Sequence, residues 1–438
     1  MFNLNLSQSV GFRLFIISVL VVLLLIPTIF IMVMIEDRQE TSKSAGNEIS
    51  EKWGKQQTVT GPILKIPYRL PVRDSTGKMI SRTEREMIIL PESLNVFGKI
   101  NPEKRSRGIF EVVVYSTNLK LNGEFNLTEA LKAIDTDYEI LWKEASVNIG
   151  ISDLSGLANL VKIDWNKTQI EAGSGTKITE LIPKGLSASV SLTEKEMKYS
   201  FSTEININGS SKLEFSPVGK TTTVELQSDW ADPKFSGAFL PQDRKVLETG
   251  FSAKWNVLFL NRNYPQFWTE SIYKFEGSDF GVDLIIPVDH YQKTLRTVKY
   301  AIMFIGFTFM AFFMIEIFDK KRLHPIQYLL IGIALVIFYT LLLSITEHIS
   351  FNWSYLISGM ATIGMITLYT KSVLQNLKAT LLIFGILIIL YGFMFVVLQL
   401  EDYALMIGSF GLFATLAIVM YVTRKVDWYQ LELKSEKE

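Results

Sequence analysis

Cysteine is absent from the 438-residue chain. That removes disulfides, thiolate nucleophiles, cysteine-based zinc sites and iron–sulfur clusters together. Histidine is scarce, at three residues, too few for a histidine-rich metal site. Neither charge is in excess: 44 basic residues stand against 44 acidic ones, so nothing favours a nucleic-acid partner. The phosphate, dinucleotide and nucleophile-elbow patterns GxxxxGK[ST], GxGxxG and GxSxG are missing too. Gly173-Ser174-Gly175-Thr176 is glycine-rich, but no Lys-Ser/Thr pair follows it into a helix, so it reads as a turn. No cofactor is implied. A shortage of disulfides does not bar an extracytoplasmic domain, because a segment of this size can bury a core of its own.

What the chain has is long apolar runs. Five fill the last third, at residues 300–318, 325–346, 353–369, 379–400 and 403–423. At about 1.5 Å per residue, runs of this length cross a hydrocarbon layer about 30 Å thick. Charge collects at their ends, as with Glu316 in a last turn, Asp319-Lys320-Lys321-Arg322 just beyond, and Glu347 beside His348. None lies mid-run, where an ionised side chain would cost roughly 2.5–3.5 kcal/mol. A sixth run, residues 14–35, follows Arg13 and leads into Glu36-Asp37. It is longer than a signal-peptide core and no small-x-small cleavage pattern follows it, so it reads as an uncleaved anchor, with Pro27 expected to kink it.

Between the anchor and the bundle the pattern changes. A polar stalk, helical or loose, runs to about Trp53. Short alternating strands then follow, as in Val147, Ile149 and Ile151. Asn122-Gly123 and Asn208-Gly209 stand between alternating apolar residues, which predicts two hairpin turns and hints at an internal repeat. Thr128 is expected to cap a short helix over 128–134. The fold class is therefore α+β membrane protein: six transmembrane helices and a large, mainly antiparallel β domain, a sandwich of one or two lobes. The expected division is a cytoplasmic N-terminus at 1–13, an anchor at 14–35, an extracytoplasmic β-rich domain at 36–297, a five-helix bundle at 298–423 and a cytoplasmic tail at 424–438. Basic loops (Lys320-Lys321-Arg322, Lys371 with Lys378, Arg424-Lys425) alternate with acidic ones (Glu347, Glu401-Asp402). By the positive-inside rule both termini are then cytoplasmic and the β domain lies outside.

Candidate chemistry is thin. His290, Asp289, Glu347, His348, Glu401 and Asp402 fall at the expected outer face and form a candidate proton-sensitive or metal-binding cluster, against the plainer reading of interfacial capping. Asp229, Asp232, Asp279 and Asp283 would serve a membrane-tethered hydrolase if two of them converged. The aromatics between Trp230 and Trp268 read as core more readily than as a sugar-stacking groove. Within the bundle, Tyr339, Ser344, Thr362 and Tyr391 are the polar groups at depth, and small residues such as Ser358, Gly359 and Gly411 let helices approach.

Several ordered strings carry a resemblance. Trp53-Gly54 with Gly61-Pro62-Ile63-Leu64-Lys65-Ile66-Pro67-Tyr68, Phe235-Ser236-Gly237-Ala238-Phe239-Leu240-Pro241, Pro287-Val288-Asp289-His290-Tyr291 and His324-Pro325-Ile326-Gln327-Tyr328 resemble CreD, the bacterial inner-membrane cell envelope integrity family. Ser344-Ile345-Thr346-Glu347-His348 and Arg424-Lys425-Val426-Asp427-Trp428-Tyr429 extend the likeness. It implies an inner-membrane location and a part in envelope maintenance and envelope stress response, and it brings no active site with it. The expected protein is non-enzymatic, surrounded by membrane lipids, and binds a cell-wall or envelope component or a partner protein through its outer domain. The alternative is a transporter or flippase-like protein for a lipid or small neutral molecule.

Overall fold

In the computed structural model, residues 10–75, 78–133, 137–269, 273–286, 290–319, 323–400, 403–424 and 426 are described. The chain divides into two compact units, one of residues 1–41 with 288–438 and one of residues 42–287.

The second unit is β-rich. Its described strands form one ten-stranded and one eight-stranded sheet, and a single apolar core takes residues from both. Ile63, Val147 and Phe280 of the first sheet share it with Leu121, Ile205 and Trp255 of the second. The unit is therefore one sandwich of one lobe. Pairing is antiparallel throughout except at two places, where Gln57–Arg73 runs parallel to Lys212–Ser216 and Ser93–Arg107 runs parallel to Thr221–Ser228. Strand Ser146–Ile151 is buried at every position, as suits a strand in the middle of a covered sheet. Lys198–Ser210 instead alternates exposed and buried residues over most of its length, the period of a half-buried strand.

Both hairpin expectations fail. Asn122 and Gly123 lie inside the long strand Phe110–Asn126, paired to Asn95 and Leu94 on one side and to Ser202 and Phe201 on the other. Gly123 is there for space: a Cβ would stand 1.9 Å from the Ser93 carbonyl oxygen and 2.8 Å from the Phe201 ring. Asn208 and Gly209 also pair within a strand. The chain turns one step later, at Ser211 (φ 58°), and crosses to the other sheet. An Asn-Gly pair signals a turn only where both neighbours lack a partner strand, which the local pattern does not reveal. The short helix α2 spans Thr128–Lys132; its N-cap is Leu127, with no side-chain cap, and the Thr128 N–H donates to Asn126 Oδ1.

The helical unit contains most of α1 (Val10–Trp53), which crosses the boundary between the units. With it come α3 (His290–Lys299), α4 (Ala301–Asp319), α5 (Pro325–Thr346), α6 (Phe351–Leu374), α7 (Leu377–Gln399) and α8 (Ala404–Thr423). Helix α1 is unbroken through Pro27 and through the polar stalk to Trp53. Residues 290–297, read above as part of the β-rich segment, form most of the amphipathic α3, which buries Thr294, Thr297 and Val298.

Five of the described helices, α1, α4, α5, α7 and α8, are long and apolar enough to cross a membrane. Helix α6 is long enough, at 24 residues, but carries more polar residues. Several of those are turned inward: Ser354, Ser358 and Thr362 are buried at i, i+4 and i+8, the face that packs between helices. Within the helical unit α1 docks along Leu24, Thr28, Ile31 and Ile35, all buried, a seam of helical spacing. Gly332 of α5 lets it close in, since a Cβ there would meet Leu24 at 2.1 Å.

Candidate functional site

The helical unit is held at both ends by charge. Arg13 Nη1 of α1 lies 3.0 Å from Glu316 Oε1 in the last turn of α4, and Tyr328 Oη donates to the other Glu316 oxygen at 3.1 Å. Glu316 is only 5% exposed. A buried carboxylate needs such partners, because an unpaired charge in apolar surroundings is costly. At the other end Arg38 reaches Glu347, the C-cap of α5, at 3.5 Å. From Arg13 to Arg38 the helix rises roughly 37 Å, somewhat more than the thickness of a hydrocarbon layer. The two ion pairs thus mark opposite faces, with the α4–α5 connection on the Arg13 side.

The face marked by Glu347 is where the expected outer cluster falls. Of its six residues Asp289, Glu401 and Asp402 lie outside the described residues. Among the other three, Glu347 is engaged by Arg38 and His348 is exposed. His290 opens α3, and its carbonyl accepts from the Thr294 hydroxyl at 2.7 Å. Among the described residues no group of three or more His, Asp or Glu is placed to hold a metal ion. Helix α3 lies at this same face: Arg296 donates to the Leu400 carbonyl at 3.3 Å, and the Lys293 ammonium stands 6.0 Å from the Phe351 ring.

The four candidate acids of the β unit do not converge. Asp229 and Asp232 are exposed. Asp279 accepts from the Ser216 hydroxyl at 2.6 Å, and that hydroxyl also meets Thr60 at 2.7 Å. Burial raises the Asp279 carboxyl above its ordinary value, against the opposing pull of the Ser216 hydroxyl. Asp283 accepts from Ser236 instead. The aromatics from Trp230 to Trp268 are largely core: Trp255 packs on Phe235 and Phe280 and Trp268 on Phe275. Arg262, which the sequence did not single out, is 7% exposed and ties its loop together through the Val218 carbonyl at 3.3 Å and Gln266 at 2.7 Å. Burial pushes its guanidinium down to about 10.

Polar groups do gather at depth in the bundle. Tyr391 of α7 packs on Phe304 of α4, Phe338 of α5 and Tyr355 of α6, and Phe304 meets Tyr339. The hydroxyls of Tyr339 and Tyr391 are buried without a partner among the described residues. So are those of Thr308 and Ser358, which the sequence alone does not distinguish from packing residues. Each lies seven or eight positions from the end of its helix on the Glu347 side, a depth of roughly 10–12 Å. Ser344, in contrast, is exposed. The sequence signal for this layer is a hydroxyl on each of four consecutive apolar runs at a matched distance from the same face.

The comparisons with known proteins cover nearly the whole chain. The family model described as "Inner membrane protein CreD" matches residues 9–429. The chain belongs to the CreD family. Inner membrane protein CreD of Escherichia coli (strain K12) is 33% identical over 425 residues, covering 95% of this chain and 93% of the relative. CreD is thus an inner-membrane protein family with which this chain shares nearly its whole length, and the family is named for its location rather than for a reaction. A crystal structure of an M1 zinc metallopeptidase from Deinococcus radiodurans with a Tyr-Ser-Ala substrate aligns at a TM-score of 0.18 and 8% identity. It covers 38% of this chain and 39% of that one, a level that carries no argument about the CreD chain.

Proposed function

We propose that this CreD-family chain is a non-enzymatic, six-span protein that supports envelope integrity and the response to envelope stress. Both termini are cytoplasmic, and the β sandwich stands outside the membrane, where it binds an envelope component or a partner protein. The observation that carries the reading is the pair of ion pairs on α1. Arg13–Glu316 marks one face, and the loop leaving α4 there is the one that contains Lys320-Lys321-Arg322, the inner signature. Arg38–Glu347 marks the other face. In the chain the β unit follows α1 past Arg38, from residue 42 onward, so the sequence order assigns it to the outer side. The cations of α3 do not weaken this, because they end a long translocated segment, and the charge rule counts short loops.

The chain contains no cysteine of its own, so single-cysteine variants test the reading directly. Leu160, 69% exposed in the β unit, replaced by cysteine reacts with an impermeant thiol reagent in intact spheroplasts. Lys378→Cys reacts only after lysis. The reverse pattern refutes the topology. For the function, a strain lacking the chain loses resistance to detergent and osmotic stress, and the wild-type gene restores it. Unchanged resistance refutes the integrity role.

A second reading, transport of a lipid or small neutral molecule, is supported by the unpartnered hydroxyls at matched depth in the bundle. Tyr391→Phe then abolishes transport while leaving the fold intact; unaltered uptake or flipping refutes it.

A further inference from the structure

Helices α6 and α7 leave a groove of about 490 Å³ between them, within the size range of sites for small molecules. On α6 its wall runs from Asn352 past Tyr355 and Gly359 to Ile363, and on α7 from Phe395 past Gly392 to Ile388. Those α6 positions fall at i, i+3, i+7 and i+11, one face of the helix. From Asn352 to Ile363 the groove descends roughly 16 Å, about half of a 30 Å hydrocarbon layer. Its length is therefore that of one leaflet.

Polarity divides along the same line. The mouth has Asn352, whose side-chain oxygen accepts from the Gln399 amide at 2.6 Å, and Trp353, 62% exposed, a residue type that settles at the membrane–water interface. Below the mouth the wall is apolar, and its floor includes the face of the Tyr391 ring, seated on Gly359 at 3.3 Å from where a Cβ would stand. Gly392 opens onto this volume: nothing lies within 4 Å of a Cβ built there.

We propose that this groove is a binding site for one acyl chain of a diacyl phospholipid, its glycerol and headgroup region held at the Asn352–Gln399 mouth. A polar entrance over an apolar shaft one leaflet deep matches an amphiphile's head and tail. The donors at the mouth are neutral amides, so they hydrogen-bond ester and phosphate oxygens without requiring a particular headgroup charge. The chain comes from the leaflet on the Glu347 side, which is the outer one in the topology proposed above. The site itself does not depend on that topology, nor on transport.

The test uses the full-length purified chain, delipidated in detergent and titrated with dioleoylphosphatidylglycerol under native mass spectrometry. The wild type retains one lipid more tightly than the rest. Gly392→Trp, which fills the groove through open space, binds that lipid roughly tenfold more weakly with an unchanged melting temperature. Gly408→Trp, on α8 and also open, behaves as the wild type. Equal retention by all three proteins overturns the proposal, as does equal loss in both variants. Should Gly392→Trp melt lower, Met360→Trp, on the exposed rim of the same groove, must give the same loss with wild-type melting, or the proposal fails. Because this readout is blind to sidedness, reversed cysteine labelling would refute the topology and leave the groove standing.

Discussion

Two ion pairs hold α1 in the helical unit, and they should contribute very unequally. Arg13→Met strands the Glu316 carboxylate, 5% exposed, with Tyr328 as its remaining side-chain hydrogen-bond donor. Removing one partner of a buried pair costs about 3–5 kcal/mol. Arg13 is 23% exposed and the Tyr328 bond survives, so the expected cost falls to about 2–3 kcal/mol. Arg38→Met breaks a pair whose arginine is 48% exposed at 3.5 Å; exposed pairs contribute about 0–1 kcal/mol. The double variant Arg13→Met/Glu316→Gln removes the stranded charge and should recover at least about 1 kcal/mol relative to the sum of the singles. The assay is unfolding of the full-length protein by sodium dodecyl sulfate in mixed micelles, followed at 222 nm, where helices dominate the signal. Equal costs for Arg13→Met and Arg38→Met, or strict additivity in the double variant, would refute the account of Glu316 as a buried charge that needs its partner.

Two aspartates of the β unit predict opposite pH dependences. Burial raises the folded-state value of Asp279, so the folded state binds the extra proton and stability falls as pH rises from the ordinary aspartate value through the raised one; Asp279→Asn should flatten that slope in a pH series of chemical denaturation. Asp153 is opposite: burial pulls its value up, but hydrogen bonds from the Lys55 and Ser155 backbones and the Ser155 hydroxyl outweigh it and leave it lowered. Its contribution is present above the ordinary value and lost as pH falls through the lowered one, and Asp153→Asn should remove that acid-side loss. Gly123→Ala should destabilise the sandwich by about 1–3 kcal/mol through overpacking against Ser93 and Phe201, measured by denaturant midpoint; a neutral result would refute the account of Gly123 as a close-packing position. Trp255→Ala, at a position with no exposure and an indole N–H bonded to the Phe239 carbonyl, should cost about 3–5 kcal/mol, read by loss of near-ultraviolet circular dichroism on mild heating.

The helical unit was largely legible because a membrane-spanning run needs only length and apolarity, which single residues report. Helix α6 was the partial case. Its serines and threonines dilute the apolar pattern, and only their burial against neighbouring helices shows why they are there. The sandwich was legible as a class and obscure in detail. Alternation marked strands such as 146–151 and 198–210, while Asn122-Gly123 misled, since the partner that makes Gly123 necessary, Ser93, is thirty residues away. Arg13, just ahead of one apolar run, and Glu316, in the last turn of another, are both conspicuous, yet their pairing spans 303 positions and no local pattern states it. The layer of buried hydroxyls is half visible in the sequence, through Tyr339 and Tyr391, while Ser358 reads equally as a small packing residue and Thr308 is a lone threonine in an apolar run.

One feature of the first sheet sets an order of assembly. Strand Phe280–Leu284 is the last described strand in sequence, yet it lies inside the sheet, between Pro233–Gly237 and Lys212–Ser216. Lys212–Ser216 in turn pairs in parallel with Gln57–Thr60, more than 150 residues earlier. Until residue 284 has emerged from the ribosome, two strands keep open edges, and the earliest strand waits for a mate that arrives late. Such distant pairing folds slowly and leaves strand edges free to join other chains. A nascent chain stalled near residue 270 should therefore remain protease-sensitive and prone to self-association, and release of some fifteen more residues should convert it at once to the resistant form.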